Sequence, residues 1–306
     1  MKLVFMGTPA FAAGFLDALA KSKHEILAVV TQPDRPSGRG RVLTPPPVKK
    51  RALELGLPVL QPENLKAEEL EAGLKKLDAD LFVVVAFSIL PKRLLAASKL
   101  GAVNVHGSLL PKYRGAAPVQ RAIAAGETET GVTVFLLDEK MDHGPVLERR
   151  TVPISRSDTA ATLLEKMLAP GIEALEAALA SLESGHPTFL PQDHAKATPA
   201  PKLRKEEGRL DFTLPAKTLH DRIRAFSPWP GGYALLNGKT VYFRETEAPA
   251  LEKRLAPGEA EIAGGRLFVG TGEGTLEVLK IQLEGKRAMA IRDFANGLKT
   301  KELRFC

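Results

Sequence analysis

The chain has 306 residues, of which 44% are hydrophobic and 26% charged, a composition that excludes disorder, and no apolar stretch approaches the roughly 18 residues that cross a bilayer. Its length predicts two domains. Its single cysteine, Cys306, excludes an intrachain disulfide and a cysteine-based zinc site. Its first residues lack a signal-peptide pattern, so we expect a cytoplasmic protein. The net charge of +7 lies mostly after Pro201, which fits either a polyanionic partner or ordinary solvated surface.

Strands and helices alternate through the first two thirds of the chain. Thr8 as an N-cap, followed by Pro9 in the first turn, predicts that the first helix begins directly after the first strand. Apolar runs predict strands at 2–6, 25–31, near 59, 81–86, 102–106 and 132–137, and helical periodicity predicts helices at 8–21, 48–55, 66–77, 117–125 and 159–184. This alternation predicts an α/β fold with a doubly wound, mostly parallel, Rossmann-like sheet.

Periodicity fades between 185 and 208, where prolines stand among polar residues as in a linker. We therefore predict a catalytic domain at 1–188, a linker at 189–207 and a second domain at 208–306. After a helix at 215–226, the second domain consists of short apolar runs separated by Gly and Asn. This pattern predicts a small, OB-like antiparallel β-barrel.

The turn after the first strand reads Gly7-Thr8-Pro9, at the place where a dinucleotide-binding protein carries its glycine-rich loop. The second and third glycines are absent, and Pro9 removes a backbone donor. A nicotinamide-dependent oxidoreductase is therefore disfavoured, and a tight strand-to-helix turn is the favoured interpretation.

Two residues suited to polarising a carbonyl, Asn104 and His106, close the apolar run at 102–106. Side chains alternate along a strand, so both point to the same face. Open α/β sheets bind ligands beyond the carboxyl ends of their strands, so an amide donor and a titratable imidazole there indicate chemistry at a carbonyl. On these residues alone, a polar strand end capped by its own loop is an equal alternative.

A polar segment follows the strand predicted at 132–137. Its Asp142 could approach His106, favour the charged imidazole and fix its tautomer. Asp138 competes for this role, and either carboxylate could instead cap backbone amides of its own loop. We expect His143 to be exposed rather than catalytic. No paired-histidine motif or cysteine cluster is present, so we expect no metal.

The stretch from Gln32 to Arg51 is a long loop followed by the start of a helix, and it has no acid after Asp34. Glycines between basic residues would let guanidinium groups reach separate phosphates, as nucleic-acid binding requires. A solvated basic loop is an equal alternative at this point. The six basic residues are Arg35, Arg39, Arg41, Lys49, Lys50 and Arg51.

Several motifs together resemble the folate-dependent formyltransferases, and the match covers nearly the whole chain. The motifs are Asn104-Val105-His106, Ser108-Leu109-Leu110-Pro111, Tyr113-Arg114-Gly115-Ala116-Ala117-Pro118, Asp142, Gly7-Thr8-Pro9, Thr31-Gln32-Pro33-Asp34-Arg35-Pro36, Gly38-Arg39-Gly40, Gly131-Val132-Thr133 and Phe226-Ser227-Pro228-Trp229-Pro230-Gly231. The basic loop and the second domain point to the branch of the family that acts on tRNA. The Asn/His/Asp set alone would also fit formylation of glycinamide ribonucleotide or of a sugar amine.

The resemblance implies formyl transfer from 10-formyltetrahydrofolate to the α-amine of initiator methionyl-tRNA by a monomer without a metal. It implies that Asn104, His106 and Asp142 are catalytic and that the barrel domain helps to bind tRNA. For the folate site it implies Ser108, Leu109, Leu110 and Pro111, although the two leucines fit core packing equally, and Leu110-Pro111 is a candidate cis bond. For tRNA contacts we expect Arg35, Arg39 and Arg41, and Arg39 above all, since Gly38 and Gly40 flank it.

Two departures from the family pattern concern the predicted site. The family usually reads Ala-Tyr-Gly-x-Ile-Leu-Pro where this chain has the shorter Ala86-Phe87-Ser88-Ile89-Leu90-Pro91, which affects the folate pocket wall. It usually has Gly at the position of Lys140, which affects the turn before Asp142. For Trp229 and Phe226 we expect packing rather than base stacking. A noncatalytic RNA-binding protein that keeps a dead enzyme domain is the remaining rival, which the intact Asn104, His106 and Asp142 disfavour.

Overall fold

The structure is a computed structural model that describes residues 1–37, 40, 42–249, 255–298 and 303–306. The chain forms two compact units. The first comprises Met1–Pro118, Thr130–Val152 and Leu164–Ala200, and the second Val119–Glu129, Pro153–Leu163 and Pro201–Cys306. Two short segments from before residue 164 thus group with the C-terminal part of the chain.

The elements up to residue 183 alternate largely as the periodicity predicts. They are β1 (Lys2–Gly7), α1 (Ala10–Ala20), β2 (Glu25–Val30), β3 (Arg35–Ser37), β4 (Val42–Thr44), α2 (Pro47–Glu54), β5 (Val59–Leu60), α3 (Glu68–Lys76), β6 (Leu81–Val85), α4 (Lys92–Leu95), β7 (Ala102–His106), α5 (Pro118–Ala124), β8 (Glu129–Leu136), β9 (Val146–Pro153) and α6 (Ala160–Glu183).

One sheet of seven strands, in the order β5-β2-β1-β6-β7-β8-β9, organises the first unit. Strands β5, β2, β1, β6 and β7 run parallel, whereas β8 pairs with β7 antiparallel. The predicted Rossmann-like, mostly parallel fold is confirmed. Strand order reverses between β1 and β6, the kind of position where such sheets open a ligand crevice.

The central strands are buried on both faces, which explains why they read as continuous apolar runs rather than alternating ones. All five residues of β6 are buried. One core cluster gathers side chains of β1, β6 and the helices beside them, including Val4, Phe82, Leu74 and Leu94. This packing fixes β7 beside β6, with Asn104 opposite Val84.

The first helix begins one residue later than the capping pattern predicts. Pro9, not Thr8, occupies the N-cap, and no side chain caps the helix. The Thr8 hydroxyl is buried and has no hydrogen-bond partner among the described residues. The Thr8 capping prediction is therefore wrong, because Thr8 still belongs to the turn that closes β1.

The basic stretch predicted as a loop without secondary structure contains a short hairpin. Strands β3 and β4 pair antiparallel, with Arg35 opposite Thr44 and Ser37 opposite Val42. The prediction of an unstructured loop is wrong here because each strand has only three residues, too few to show a periodic pattern.

The rest of the second unit, as far as the structure describes it, contains two α-helices and a barrel. Its elements are α7 (Ala216–Ala225), β10 (Gly232–Leu236), β11 (Lys239–Glu247), β12 (Glu259–Ala263), β13 (Arg266–Gly270), β14 (Thr275–Leu283), β15 (Met289–Ala290), α8 (Ile291–Asn296) and β16 (Leu303–Arg304). The sheet runs β10-β11-β14-β13-β12-β16, and an antiparallel bridge between Leu236 and Phe305 returns it to β10. The predicted antiparallel barrel is confirmed.

The aromatic residues after α7 point in opposite directions. Leu219 and Ile223 of the helix belong to the barrel core, and Phe226, which follows the helix, is only 2% exposed. Trp229 is 54% exposed, so the expectation that it packs is wrong, because the chain has left the helix and its buried face before this residue. In the described part of the chain, no helix has the length and apolar character needed to cross a bilayer.

Candidate active site

Strand β7 carries two of the three predicted catalytic residues in the middle of the sheet. Asn104 lies between Val84 of β6 and Phe135 of β8, and His106 lies opposite Thr133. Asn104 is half-buried, and its side-chain amide makes no hydrogen bond within the described part of the chain. Its N–H groups are therefore available to an oxygen of a bound molecule.

The imidazole of His106 is fixed by a backbone carbonyl. Its Nε2 lies 2.9 Å from the carbonyl oxygen of Tyr113, and the side chain is 6% exposed. A carbonyl oxygen only accepts hydrogen bonds, so Nε2 must carry the hydrogen. Nδ1 is then the nitrogen that can take up or release a proton.

Asp142 stands beside that free nitrogen. Its Oδ2 lies 3.7 Å from His106 Nδ1, too far for a hydrogen bond but close enough for strong Coulombic attraction to an imidazolium. The same oxygen accepts a hydrogen bond of 2.8 Å from the Gly115 amide. Tyr113 thus fixes the tautomer, the role expected of Asp142, while the carboxylate supplies negative charge.

The loop that carries Asp142 reverses the direction of the chain after β8 and so reaches His106 at the end of β7. Because β8 runs antiparallel to β7, it ends beside the start of β7, where the Leu137 amide donates to the Ala102 carbonyl at 2.8 Å. The chain then returns to the level of His106. Asp142 adopts a left-handed backbone conformation there, with φ of 49°.

Asp138, the competing carboxylate, is occupied elsewhere. It lies 2.7 Å from Nδ1 of His143 and caps the Lys140 amide at 2.8 Å. The half-buried His143 ring stacks on His194 at a centroid distance of 3.9 Å. Partial desolvation, followed by the charges of His143 and Arg114, lowers the pKa of His194, which suits its acceptance of a hydrogen bond from Arg114.

A pocket opens on the face of β7 that bears Asn104. Its walls combine apolar side chains with a few polar groups, as expected for a small-molecule site. The lining residues are Val84, Phe87, Ser88, Ile89, Leu90, Leu95, Asn104, Leu137, Asp138, Lys140, Met141 and Asp142. Two predicted catalytic residues, Asn104 and Asp142, therefore meet in one cavity.

Family profiles cover most of the chain. The profile described as "Formyl transferase" matches residues 1–179, and that described as "Formyl transferase, C-terminal domain" matches residues 202–299. The chain belongs to the formyltransferase family. A curated relative named methionyl-tRNA formyltransferase, from Anaeromyxobacter sp. strain K, is 48% identical over 313 residues, which cover 99% of each chain.

Several solved structures have a similar fold. HypX from Aquifex aeolicus, solved with tetrahydrofolic acid, superposes with a TM-score of 0.66 at 20% identity over 97% of this chain. This chain spans about half of HypX, 47% of its length. An N-formyltransferase from Helicobacter canadensis, solved with folinic acid and dTDP-3-aminofucose, gives a TM-score of 0.69 at 18% identity over 91% of this chain and 98% of its own.

The predicted folate segment lies outside the lining of this pocket. Ser108 is fully buried, and its hydroxyl donates to the Lys112 carbonyl at 2.6 Å. Leu110 is 1% exposed and packs with Phe135 and Val146, as the core-packing alternative predicts. Leu109 lies near Gly131, and the Leu110-Pro111 bond is cis as predicted.

The two departures from the family pattern fall on the pocket wall. The shortened segment turns at Ala86, which has φ of 47°, and places Ile89 on the surface at 68% exposure. Within the described loop, positive φ falls on Asp142 rather than on Lys140, so a lysine is compatible with this turn.

The basic stretch is only partly available for external contacts. Arg35 is exposed on β3, whereas Arg39 and Arg41 lie outside the described residues. Lys49 pairs with Asp34 at 2.7 Å, and Arg51 pairs with Glu54 at 2.7 Å and with Asp17. Hydrogen bonds from Gln61 and Lys49 lower the pKa of Asp34, so its charge persists at neutral pH.

Sequence reasoning missed the groups that hold His106 and Asp142. These are the Tyr113 carbonyl, the Gly115 amide and the side chains of Arg114 and Gln192. The formyltransferase-like motif at 113–118 pointed to the first two without showing their contacts, whereas Gln192 falls in the stretch predicted as linker. Among the described residues, no group of three or more His, Cys, Asp or Glu side chains could hold a metal ion.

Proposed function

We propose that the protein transfers a formyl group from 10-formyltetrahydrofolate to the α-amine of methionyl-tRNA, giving formylmethionyl-tRNA for translation initiation. One observation carries this proposal above the others. The relative named methionyl-tRNA formyltransferase matches at 48% identity over 99% of both chains, which includes the second unit as well as the site.

The geometry at β7 suits this reaction. The neutral amine attacks the formyl carbon, forming a C–N bond and a tetrahedral adduct whose oxygen becomes an oxyanion. The unpaired amide of Asn104 donates to that oxygen. His106 Nδ1 accepts the amine proton, and Asp142 at 3.7 Å stabilises the resulting imidazolium. The oxyanion then re-forms the carbonyl as the bond to N10 of the folate breaks, and the His106 imidazolium returns its proton to N10.

The pocket beside Asn104 is the folate site in this proposal. Phe87, Leu90 and Leu137 offer apolar walls to a flat ring, while Asp138 and backbone groups of the two loops offer polar partners. Residues 108–111 support this site indirectly, because Leu110 belongs to the buried cluster against which the lining residue Leu137 packs. The Thr133 hydroxyl fixes this segment: it donates to the Ser108 carbonyl at 2.7 Å and accepts from the Leu110 amide at 3.1 Å.

For tRNA we propose Arg35, Arg39 and Arg41 as contacts, with Arg39 between Gly38 and Gly40 as the deepest. Residues 1–188 form the catalytic domain, and 208–306 the barrel domain that adds basic surface for the tRNA. The protein acts as a monomer in the cytoplasm. Basic side chains at these positions bind phosphates rather than bases, so they set affinity more than sequence preference.

A formyl-transfer assay with three acceptors tests the proposal. Purified protein and 10-formyltetrahydrofolate are incubated with methionyl-tRNA, free methionine or glycinamide ribonucleotide, and product is measured by mass spectrometry. We expect formylation of methionyl-tRNA alone. Activity only with glycinamide ribonucleotide would reassign the protein to purine synthesis, and NAD(P)H oxidation in a cofactor titration would reassign it to oxidoreductases.

A further inference from the structure

We propose that Gln192 is a positioning residue that holds Asp142 beside His106, and that Arg114 couples Gln192 to both catalytic side chains. This role rests on the proposed function, because it concerns the same reaction. Gln192 lies in the extended segment after α6, is 6% exposed, and does not line the pocket.

The amide of Gln192 binds the backbone on both sides of His143. Its Nε2 donates to the Asp142 carbonyl at 3.0 Å and to the Gly144 carbonyl at 2.7 Å. Both N–H groups are therefore used within one turn of the loop. A nonpolar side chain of the same size cannot make either bond and would leave both carbonyls without this donor.

The turn that Gln192 holds is one the backbone does not adopt readily. Asp142 has φ of 49°, a conformation that non-glycine residues rarely take. Gly144 packs so closely that a Cβ there would lie 1.8 Å from the Leu136 carbonyl oxygen. Such a conformation persists only where the surroundings determine it, and Gln192 supplies two of the contacts that do so.

Arg114 links this turn to the imidazole. Its Nη2 donates to Gln192 Oε1 at 2.6 Å and to His194 Nδ1 at 2.8 Å. On either side of Arg114, the Tyr113 carbonyl accepts from His106 and the Gly115 amide donates to Asp142. The three consecutive residues Tyr113, Arg114 and Gly115 thus contact His106, Gln192 and Asp142, respectively.

The segment that carries Gln192 also holds residues 113–115 by backbone pairing. The Arg114 amide donates to the Thr198 carbonyl at 2.8 Å, and the Ala200 amide donates to the Arg114 carbonyl at 2.6 Å. Gly115, with φ of 130°, packs where a Cβ would lie 2.4 Å from the Ala200 carbonyl oxygen. Residues 192–200 therefore support both sides of the catalytic pair at once.

Loss of the Gln192 amide should affect turnover rather than binding. Without it, Asp142 can leave the position that stabilises the imidazolium, while the wall of the pocket formed by Val84, Phe87 and Leu90 stays in place. Displacement of a catalytic group by about 1 Å can lower a rate about a hundredfold. We expect Gln192→Met, which keeps the side-chain length, to lower kcat about tenfold to a hundredfold. The KM of each substrate should stay within about twofold of the wild-type value.

The experiment is a double-mutant cycle with Asp142. In the Asp142→Asn background, adding Gln192→Met should change kcat less than about twofold, because the charge that Gln192 positions is already gone. Gln192→Glu, which keeps the bond to Arg114, is the second variant and should behave alike. Asp193→Asn is the matched control, since this neighbouring exposed residue contacts Ala195 and Lys196, and it should retain wild-type kcat.

Hydrogen exchange separates this proposal from the proposed function. We expect Gln192→Met to speed amide exchange in peptides covering 113–117 and 137–145, whatever the acceptor. Wild-type protein that fails to formylate methionyl-tRNA contradicts the proposed function, and exchange then tests the positioning alone. If the wild type is active, the role of Gln192 would be overturned by any of three results. These are an unchanged kcat in Gln192→Met, independent effects of the Gln192 and Asp142 substitutions on kcat, and an unchanged rate of amide exchange.

Discussion

His106 donates a hydrogen bond of 2.9 Å from Nε2 to the backbone carbonyl of Tyr113. The contact leaves Nδ1 as the nitrogen that can exchange a proton, and Nδ1 lies 3.7 Å from Oδ2 of the Asp142 carboxylate. The tautomer is thus set by the main chain, which no substitution at position 113 removes. Asp142 is then free to act through its charge, and its oxygen is held in place by the Gly115 amide.

The substitution His106→Gln tests the role of Nδ1. A glutamine amide can still donate to the Tyr113 carbonyl, but it cannot take up a proton. We expect kcat to fall about 10²- to 10⁴-fold, as for loss of a general base, with the fold retained. Steady-state kinetics measures this change, and a variant that keeps wild-type kcat would show that His106 moves no proton.

Asn104→Ala removes the proposed oxyanion donor. One such donor contributes about 2.7 to 4 kcal/mol to the transition state, so we expect turnover to slow about 10²- to 10³-fold. Since the amide has no protein partner in the described structure, thermal stability should stay close to that of the wild type. Steady-state kinetics and differential scanning fluorimetry measure the two effects. Full activity would remove Asn104 from the mechanism.

Asp142→Asn separates the charge of this residue from its hydrogen bond. The asparagine oxygen can still accept from the Gly115 amide, whereas the attraction to the imidazolium is lost. A unit charge about 4 Å away contributes about 4 kcal/mol near a protein surface, so we expect kcat to fall by about 10²- to 10³-fold. Asp138→Asn is the comparison, because Asp138 pairs with His143, and it should lower kcat far less.

The buried ion pair of the second unit controls the stability of that unit. Asp221 and Arg224 are 4% and 8% exposed and lie 2.8 Å apart, and Arg224 also donates to the Ser155 and Asp158 carbonyls. Asp221→Ala leaves a buried guanidinium unpaired, so we expect the free energy of unfolding to fall by about 3 to 5 kcal/mol.

Urea denaturation followed by tryptophan fluorescence measures this change, because the single tryptophan, Trp229, reports on the second unit. Lys217→Ala is the control. Lys217 pairs with Asp221 from a side chain that is 72% exposed, and such pairs contribute less than about 1 kcal/mol. Equal losses in both variants would contradict the assignment of stability to the buried pair.

Local pattern was enough to predict β7 and its two polar residues. The strand at Ala102–His106 has the predicted bounds, because its apolar run is bounded by Gly101 and by the turn after His106. The barrel was predictable for the same reason, since its strands are short runs divided by glycines. The polar segment after β8 offers both Asp142 and Asp138, and only the resemblance distinguishes between them.

Contacts between distant segments were beyond the reach of local pattern. The antiparallel direction of β8 depends on pairing with β7, and nothing within 129–136 records it. The Gln192 side chain looks like any polar residue of a proline-rich stretch until the structure shows it buried against Asp142. The Tyr113 carbonyl carries no side-chain signal at all.

Salt dependence distinguishes basic residues that contact tRNA from those that stabilise the fold. If phosphate contacts dominate, raising salt should raise the KM for methionyl-tRNA steeply and leave the KM for folate nearly unchanged. Arg35→Ala removes an exposed cation from β3, so we expect the slope of log KM against log salt to fall by about one. Arg51→Ala is the matched control from the same stretch, because Arg51 already pairs with Asp17 and Glu54. Its slope should equal that of the wild type, and equal slopes in all three proteins would remove Arg35 from the tRNA contacts.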